Sequence, residues 1–263
     1  MSRVLVTGGA SGLGAALVSR YAARGDQVLS ADLSEPRVAG TTSPPDRSVV
    51  ERRLDVTSEA DWEDTRAWVE AEWGGLDLLF NNAGVAGGGR IDLCSLEEWH
   101  WILEVNLLGV VRGTRAFVPM MKAQGSGRIV NTASLAGLVH PPGMGSYNAT
   151  KAAVVAFSET AAHELAPYGV GCTAVCPSYF RTNLMTSLRG ADTDLAEHVG
   201  RLVEKSPITA DDIAQAVVEG VERGEELIVP DEPARAAYDA KLHHRAAYDE
   251  QMRATAARLK ERV

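Results

Sequence analysis

No run of eighteen uncharged apolar residues occurs in the 263-residue chain, so no segment reads as a membrane-spanning helix. Cysteine is scarce. There are three, an odd number in a long chain, which does not make a disulfide framework. Cys172 and Cys176 are four apart in an apolar run, on one face of a strand, and no His or Cys neighbours complete a metal set. They read as small buried hydrophobes, and Cys94 stands alone. Basic excess is missing too: 26 Lys and Arg against 35 Asp and Glu leave a formal net charge of −9, which argues against nucleic acid or an anionic membrane as the main partner. Met1-Ser2-Arg3 runs straight into Val4-Leu5-Val6, without the apolar stretch and cleavage site of a secretion signal. A reduced, cytoplasmic protein is expected.

What is present is ordinary globular composition, 45% hydrophobic and 23% charged, which excludes a disordered or fibrous chain. Short β-type runs (Val4–Thr7, Gln27–Ala31, Val49–Leu54, Asp77–Phe80, Arg128–Thr132, Gly171–Val175, Glu226–Val229), several of them nearly all apolar, alternate with helical stretches such as Gly12–Arg24, Ser58–Trp73, Ser95–Ala123 and Ser146–Ala166. That rhythm predicts an α/β domain, a doubly wound parallel sheet with both faces covered, over residues 1–230. Two stretches break it. Asp32–Asp46 is rich in Pro, Ser and Thr and reads as a surface loop, and 178–207 reads as a lid with a short helix over Asp192–Glu204. Residues 231–263 form a helical C-terminal extension. Tyr238, Leu242, Met252, Ala256 and Leu259 fall near one face, interrupted by Arg245 and Asp249. A partly solvated terminal helix and a helix docked on another subunit both fit.

The first strand runs into Thr7-Gly8-Gly9-Ala10-Ser11-Gly12-Leu13-Gly14 and then a helix. A strand–glycine turn–helix unit aims free N–H groups and the positive end of a helix dipole at one spot, which suits a diphosphate. Gly8 permits the tight turn, Gly12 close approach of backbone to phosphate, and Gly14 close packing of helix on sheet. Asp32 ends the second strand, where a carboxylate accepts hydrogen bonds from ribose hydroxyls and repels a 2′-phosphate. That favours NAD over NADP, although a solvated strand-end Asp is common and Arg37 stands close enough to assist a phosphate. Asp55-Val56 follows the third strand and fits either an adenine border or, for Asp55, a helix cap.

Tyr147 and Lys151 are four apart at the start of a helix and share a face. Tyrosine is a poor base at neutral pH. An adjacent ammonium favours its phenolate, and a shift of about three pH units needs roughly 4 kcal/mol. Proton transfer beside hydride transfer at an alcohol carbon requires such a pair.

The ordered set Thr7-Gly-x-x-x-Gly-x-Gly14, Asp55-Val56, Asn81-Asn82-Ala83-Gly84, Asn106, Ser134, Tyr147-x-x-x-Lys151 and Pro177 to Thr182 resembles the short-chain dehydrogenase/reductases over roughly residues 3–230. The resemblance implies a Rossmann-type fold, a nicotinamide cofactor and an oxidoreductase of alcohols and ketones. It casts Tyr147 as general acid/base and Ser134 as the partner of the substrate oxygen. Lys151 would hold the nicotinamide ribose, and Asn106 would anchor a water leading from Lys151 to solvent. Asn82, Ala83 and Gly84 would line the adenosine ribose side, with Asn81 stabilising the sheet. Gly8, Ser11, Gly12, Leu13, Gly14, Asp32, Asp55, Val56, Pro177 and Thr182 complete the expected cofactor contacts.

Two departures from the family stand out. Ser178 follows Pro177 where the family has Gly, which would place a side chain close to the nicotinamide. Val229-Pro230-Asp231 and the extension replace the usual C-terminal tail, so a homodimer is a safer expectation than a homotetramer. Leu138, Val139, Met144, Tyr179, Phe180, Leu184, Met185 and Leu188 are candidate walls for a hydrophobic small-molecule substrate, with His140 and Arg181 as polar exceptions. A catalytically silent dinucleotide sensor, or a lyase or epimerase on the same scaffold, are the competing readings.

Overall fold

The computed structural model describes residues 1–34, 49–189 and 192–260, and Arg37 and Pro44-Pro45 lie outside the described residues. Seven strands form one parallel sheet: β1 (Arg3–Thr7), β2 (Gln27–Asp32), β3 (Val49–Arg53), β4 (Leu78–Asn81), β5 (Gly127–Thr132), β6 (Val170–Val175) and β7 (Leu227–Ile228). Their spatial order is β3-β2-β1-β4-β5-β6-β7. Both faces are covered, which is why the strands read as continuous apolar runs. On one face Leu5, Leu29, Leu79 and Ile129 pack with Trp62 of α2 (Glu59–Trp73) and Phe117 of α4 (Gly109–Gln124). On the other, Val4, Val6, Val28 and Phe80 meet Leu17 and Tyr21 of α1 (Gly12–Ala23).

The stretch expected as one helix from Ser95 to Ala123 is α3 (Leu96–Leu103), a π-helical turn over Glu104–Leu108, and then α4. A capping box starts it: Ser95 Oγ accepts from Glu98 N while the Glu98 carboxylate accepts from Ser95 N. One short turn, α5 (Ala136–Val139), leads to α6 (Gly145–Leu165). The expected helix in the 178–207 stretch is α7 (Thr193–Glu204), and α8 (Ala210–Glu222) follows. The C-terminal extension is two helices, α9 (Glu232–His243) and α10 (Arg245–Lys260), broken at His244. They dock on their own chain, with Tyr238, Tyr248 and Met252 joining Leu138, Val139 and Val154 in one cluster. Most other residues of α10 are exposed.

A polar ladder crosses the middle of the sheet. The Asn81 amide donates to Asn131 Oδ1 at 2.9 Å, and Asn131 Nδ2 donates to Ser158 Oγ at 2.9 Å. Ser158 in turn donates to the Val154 carbonyl at 2.7 Å. Asn81 is thus committed to the sheet, as expected. Asn131 is fully buried, so Asn131→Ala removes two buried hydrogen bonds at once and is expected to cost about 2–3 kcal/mol, measurable by urea denaturation.

Candidate active site

The parallel register brings Thr7, Asp32, Asn81, Thr132 and Val175 to one edge of the sheet, and a cleft of about 870 Å³ opens outside it. Strand order turns back at β1, between β2 and β4, the place where open α/β sheets bind ligands. Gly8, Ser11, Gly12 and Leu13 line the cleft, as do Asp32, Asp55, Val56, Asn82, Ala83 and Gly84. Ser11 caps α1 through its backbone position without a side-chain bond to the first-turn amides, so that end of α1 is left to an anion. Gly12 has φ +51, and a Cβ there would come 2.7 Å from Thr182 Oγ1 across the cleft. Gly14 does not line the cleft. It packs behind it, where a Cβ would overlap the Gly8 carbonyl oxygen.

Several of these side chains are also structural. Asp32 Oδ2 accepts from Ala10 N at 3.0 Å, bracing the glycine turn. Asp55 Oδ1 accepts from Thr57 N and Oγ1 at 2.9 and 2.7 Å, bracing the turn before α2; the cap of α2 is Ser58, so the helix-cap alternative for Asp55 fails. Asn82 Nδ2 donates to the Thr7 carbonyl at 2.9 Å, and its Oδ1 accepts from Thr132 Oγ1 at 3.2 Å. It ties the ends of β1, β4 and β5 together while facing the cleft.

On the other side of the cleft lie Ser134, Tyr147, Lys151, Pro177 and Thr182. Tyr147 and Lys151 sit in the first two turns of α6. Ser134 and Tyr147 face each other across the cleft wall, Ser134 Oγ accepts from Ala136 N at 3.1 Å, and Lys151 Nζ donates to the Thr132 carbonyl at 2.7 Å. Asn106 is fully buried at the centre of the π turn, behind the cleft. Its Oδ1 accepts from Val85 N at 2.8 Å and its Nδ2 donates to the Val85 carbonyl at 2.9 Å. A Cβ on Gly84 would lie 3.0 Å from Asn106 Oδ1 and 3.8 Å from Lys151 Nζ. The two side chains are therefore near neighbours.

The electrostatics correct one expectation. Lys151 Nζ lies 5.8 Å from the Tyr147 ring centroid and gives one of its three donors to the Thr132 carbonyl. Burial pushes the Tyr147 phenol up to about 12, against a downward pull from Ser134. Burial also pushes the Lys151 amine down to about 8. Desolvation, acting on each group separately, is the first cause of both shifts.

Val139, Met144, Tyr179, Phe180, Leu184 and Leu188 line the cleft as expected, and the Met185 side chain lies outside what is described. Three expectations fail. Leu138 turns into the core beneath the C-terminal helices. His140 bonds to the Gly137 carbonyl and to Lys241, and exposed Arg181 is likewise not part of the lining. Ser178 lines the cleft, and its hydroxyl donates to Asp231 at 2.5 Å. Sequence reasoning missed Trp101 and the apolar face of α7, where Leu195, Val199 and Val203 line the cleft. Their i, i+4, i+8 spacing was the available signal. Asp192, the N-cap of α7, accepts three hydrogen bonds from Arg90 at 2.8–2.9 Å.

A family model described as short chain dehydrogenase matches residues 2–193. The chain belongs to the short-chain dehydrogenase/reductase family. It is 37% identical over 227 residues to a 2-(R)-hydroxypropyl-CoM dehydrogenase of Xanthobacter autotrophicus, covering 83% of this chain and 90% of that one. It is 38% identical over 181 residues to a 3-alpha-(or 20-beta)-hydroxysteroid dehydrogenase of Mycobacterium tuberculosis, covering 68% of each. Among solved structures, a short-chain dehydrogenase/reductase of Burkholderia phymatum in complex with NAD superposes with a TM-score of 0.80 at 31% identity, over 94% of this chain and 92% of that one. A short-chain dehydrogenase of Burkholderia cenocepacia in complex with NADP gives 0.79 at 25%, over 95% and 97%. The chain is accordingly an oxidoreductase of CH–OH groups that works with a nicotinamide dinucleotide. The silent-sensor reading is not favoured, since Ser134, Tyr147 and Lys151 all face one cleft.

In this dehydrogenase the buried amine is a liability for folding. The drop from 10.5 to about 8 at Lys151 corresponds to roughly 3 kcal/mol of destabilisation, and loss of its bond to Thr132 would return about 1 kcal/mol of that. Lys151→Met is therefore expected to be the more stable protein at pH 7 by roughly 2 kcal/mol while losing turnover. Because the folded-state value lies below the unfolded one, the penalty is full below about pH 8 and fades as pH rises towards 10.5. Thermal unfolding of both proteins across that range reads the difference directly.

Proposed function

We propose that this oxidoreductase uses NAD in preference to NADP and interconverts a hydrophobic secondary alcohol and its ketone. The observation that carries the reading is the arrangement of one cleft. Asp32 and the glycine turn lie at one end, and Ser134, Tyr147 and Lys151 lie at the other, beside apolar walls. NAD, when bound, accepts or returns the hydride. The residues fit it: the α1 N-terminus with its unspent first-turn amides suits the diphosphate, and the Asp32 carboxylate suits unmodified ribose hydroxyls. Lys151 holds the nicotinamide ribose, and Asn106 keeps Lys151 in contact with solvent protons. Pro177 and Thr182 close the same side.

Tyr147, held protonated by burial, donates its proton to a carbonyl oxygen, while the Ser134 hydroxyl steadies the charge developing there. In the reverse direction the phenol oxygen takes the proton back. Val139, Met144, Tyr179 and Leu188 enclose the rest of the substrate, with the 178–207 segment as lid. The names of the two curated relatives, a hydroxypropyl and a hydroxysteroid dehydrogenase, agree with an alcohol on an otherwise varied body. The subunit assembles at least as a dimer in the cytoplasm. Exposed Ile91, Leu96 and Leu108, which are 87%, 75% and 40% accessible, supply apolar surface for it.

Tyr147→Phe is expected to lower turnover by about 10²–10⁴-fold with NADH affinity nearly unchanged, read by NADH fluorescence titration beside a screen of secondary alcohols. Full activity in that variant would contradict the assignment. Kinetics with the two coenzymes are expected to favour NAD by at least about tenfold, and Asp32→Ala to erode that preference. Tighter binding of NADPH than NADH by the parent protein would overturn the Asp32 argument.

A further inference from the structure

We infer that the C-terminal helices α9 and α10 are a working part of the substrate site, and that Ser178 and Asp231 are the positioning pair through which they act. The inference rests on the substrate side of the cleft proposed above.

Asp231 is the N-cap of α9 and is 6% exposed. Its carboxylate is filled by three donors from two distant parts of the chain. Ser178 N donates to Oδ2 at 2.9 Å, Ser178 Oγ donates to Oδ1 at 2.5 Å, and Ala234 N donates to Oδ1 at 2.9 Å. The carboxylate therefore pins the turn after β6 to the start of α9, and charge-assisted bonds of this kind are the strong ones. Ser178 and both of its neighbours line the cleft. The Pro177 carbonyl accepts from Leu135 N at 2.9 Å, one residue from Ser134. Tyr179 is held at its carbonyl by Ser206 Oγ at 2.8 Å, and its phenol reaches Met144 Sδ at 3.7 Å. A shift at Ser178 thus reaches the catalytic serine on one side and the substrate wall on the other.

The same two helices grip that wall a second time. The Lys241 ammonium donates to the Leu138 carbonyl and, at 2.8 Å, to His140 Nδ1, and the Tyr248 hydroxyl donates to the Val139 carbonyl. His140 Nε2 lies 3.0 Å from the Gly137 carbonyl. The imidazole is therefore the neutral Nε2–H tautomer, which leaves Nδ1 free to accept. His140 has φ +56 and is the one non-glycine residue with positive φ among the described residues, a conformation that persists only where surroundings enforce it. Tyr248, Lys241 and Asp231 do not line the cleft themselves. Their effect passes through the backbone of 137–140 and 177–179, so they position the site without touching its contents. The Ser at 178 and the extension are two parts of one device, the first supplying the hydroxyl that the second anchors.

The test compares the full-length parent with Ser178→Ala, a variant that leaves the Asp231–Ala234 cap intact. Two readouts are used: amide hydrogen exchange, and steady-state kinetics with NAD and 2-octanol. Ser178→Ala is expected to speed exchange over residues 134–140 and 177–180, while Tm stays within about 3 °C of the parent. KM for the alcohol should rise about tenfold, the loss of one charge-assisted hydrogen bond, with kcat and NADH affinity changed much less. Ser178→Thr, which keeps the hydroxyl, should restore parental values. Combining Ser178→Ala with Asp231→Ala should be no worse than the poorer single variant, as for partners in one interaction. Parental exchange over 134–140 in Ser178→Ala, or additive losses in the double variant, overturns the proposal. A parent that forms no NADH from any secondary alcohol would instead count against the substrate reading, and hydrogen exchange then still decides the pair.

Discussion

The burial of the Lys151 ammonium is the constraint around which the site is built. A cation with 5% of its surface exposed is tolerated only where donors and acceptors are arranged for it, and the Thr132 carbonyl at the end of β5 supplies the fixed acceptor. That one bond sets the distance between the sheet edge and the first turns of α6. It thereby fixes where Tyr147, one turn earlier on the same face, meets the cleft. The remaining fit is steric. α5 lies so close to α6 that a Cβ on Gly137 would come within 2.6 Å of the Lys151 carbonyl. Ser134, just before α5, lines the same cleft as Tyr147.

The cofactor half depends on a smaller set of ties. The Thr7 hydroxyl donates to the Phe80 carbonyl and accepts from Asn82 N and Ala83 N at 2.9 and 3.0 Å. It joins the last residue of β1 to the loop after β4. With Asn82 bridging onward to Thr132, three strand ends become one platform, and the glycine turn and the lysine acceptor are positioned by the same network. Side chains that face the cleft therefore also hold its floor. Contacts of this kind keep a site rigid at the scale that catalysis demands.

Much of this was legible in the sequence because it is local. Apolar runs marked the strands, glycines at one strand–helix junction marked the phosphate turn, and the Tyr147–Lys151 spacing marked one helix face. What was not legible depends on distance or burial. The π turn around Asn106 inserts a residue into a helical ladder without altering composition, so the stretch reads as one helix. Ser178 turned towards a carboxylate 53 residues away, which no local pattern encodes. Leu138 reads as a pocket wall until the C-terminal helices are seen to cover it. The phenol of Tyr147 reads as acidified by its neighbour until its burial is known.

That last point bears on how such a pair works. Were the ammonium and phenol a direct ion pair, each would favour the charged form of the other, raising the amine and lowering the phenol. The shifts run the opposite way for both, up to about 12 and down to about 8, as desolvation of two separate groups requires. The chain by itself therefore favours a neutral phenol and an amine that titrates close to physiological pH. Ser134 is the neighbour that pulls the phenol back towards ionisation. The proton is thus kept on Tyr147 by the dryness of the pocket, against the opposing pull of the serine beside it. Lys151, by its bond to the Thr132 carbonyl, fixes the position of the first turns of α6 against the sheet edge.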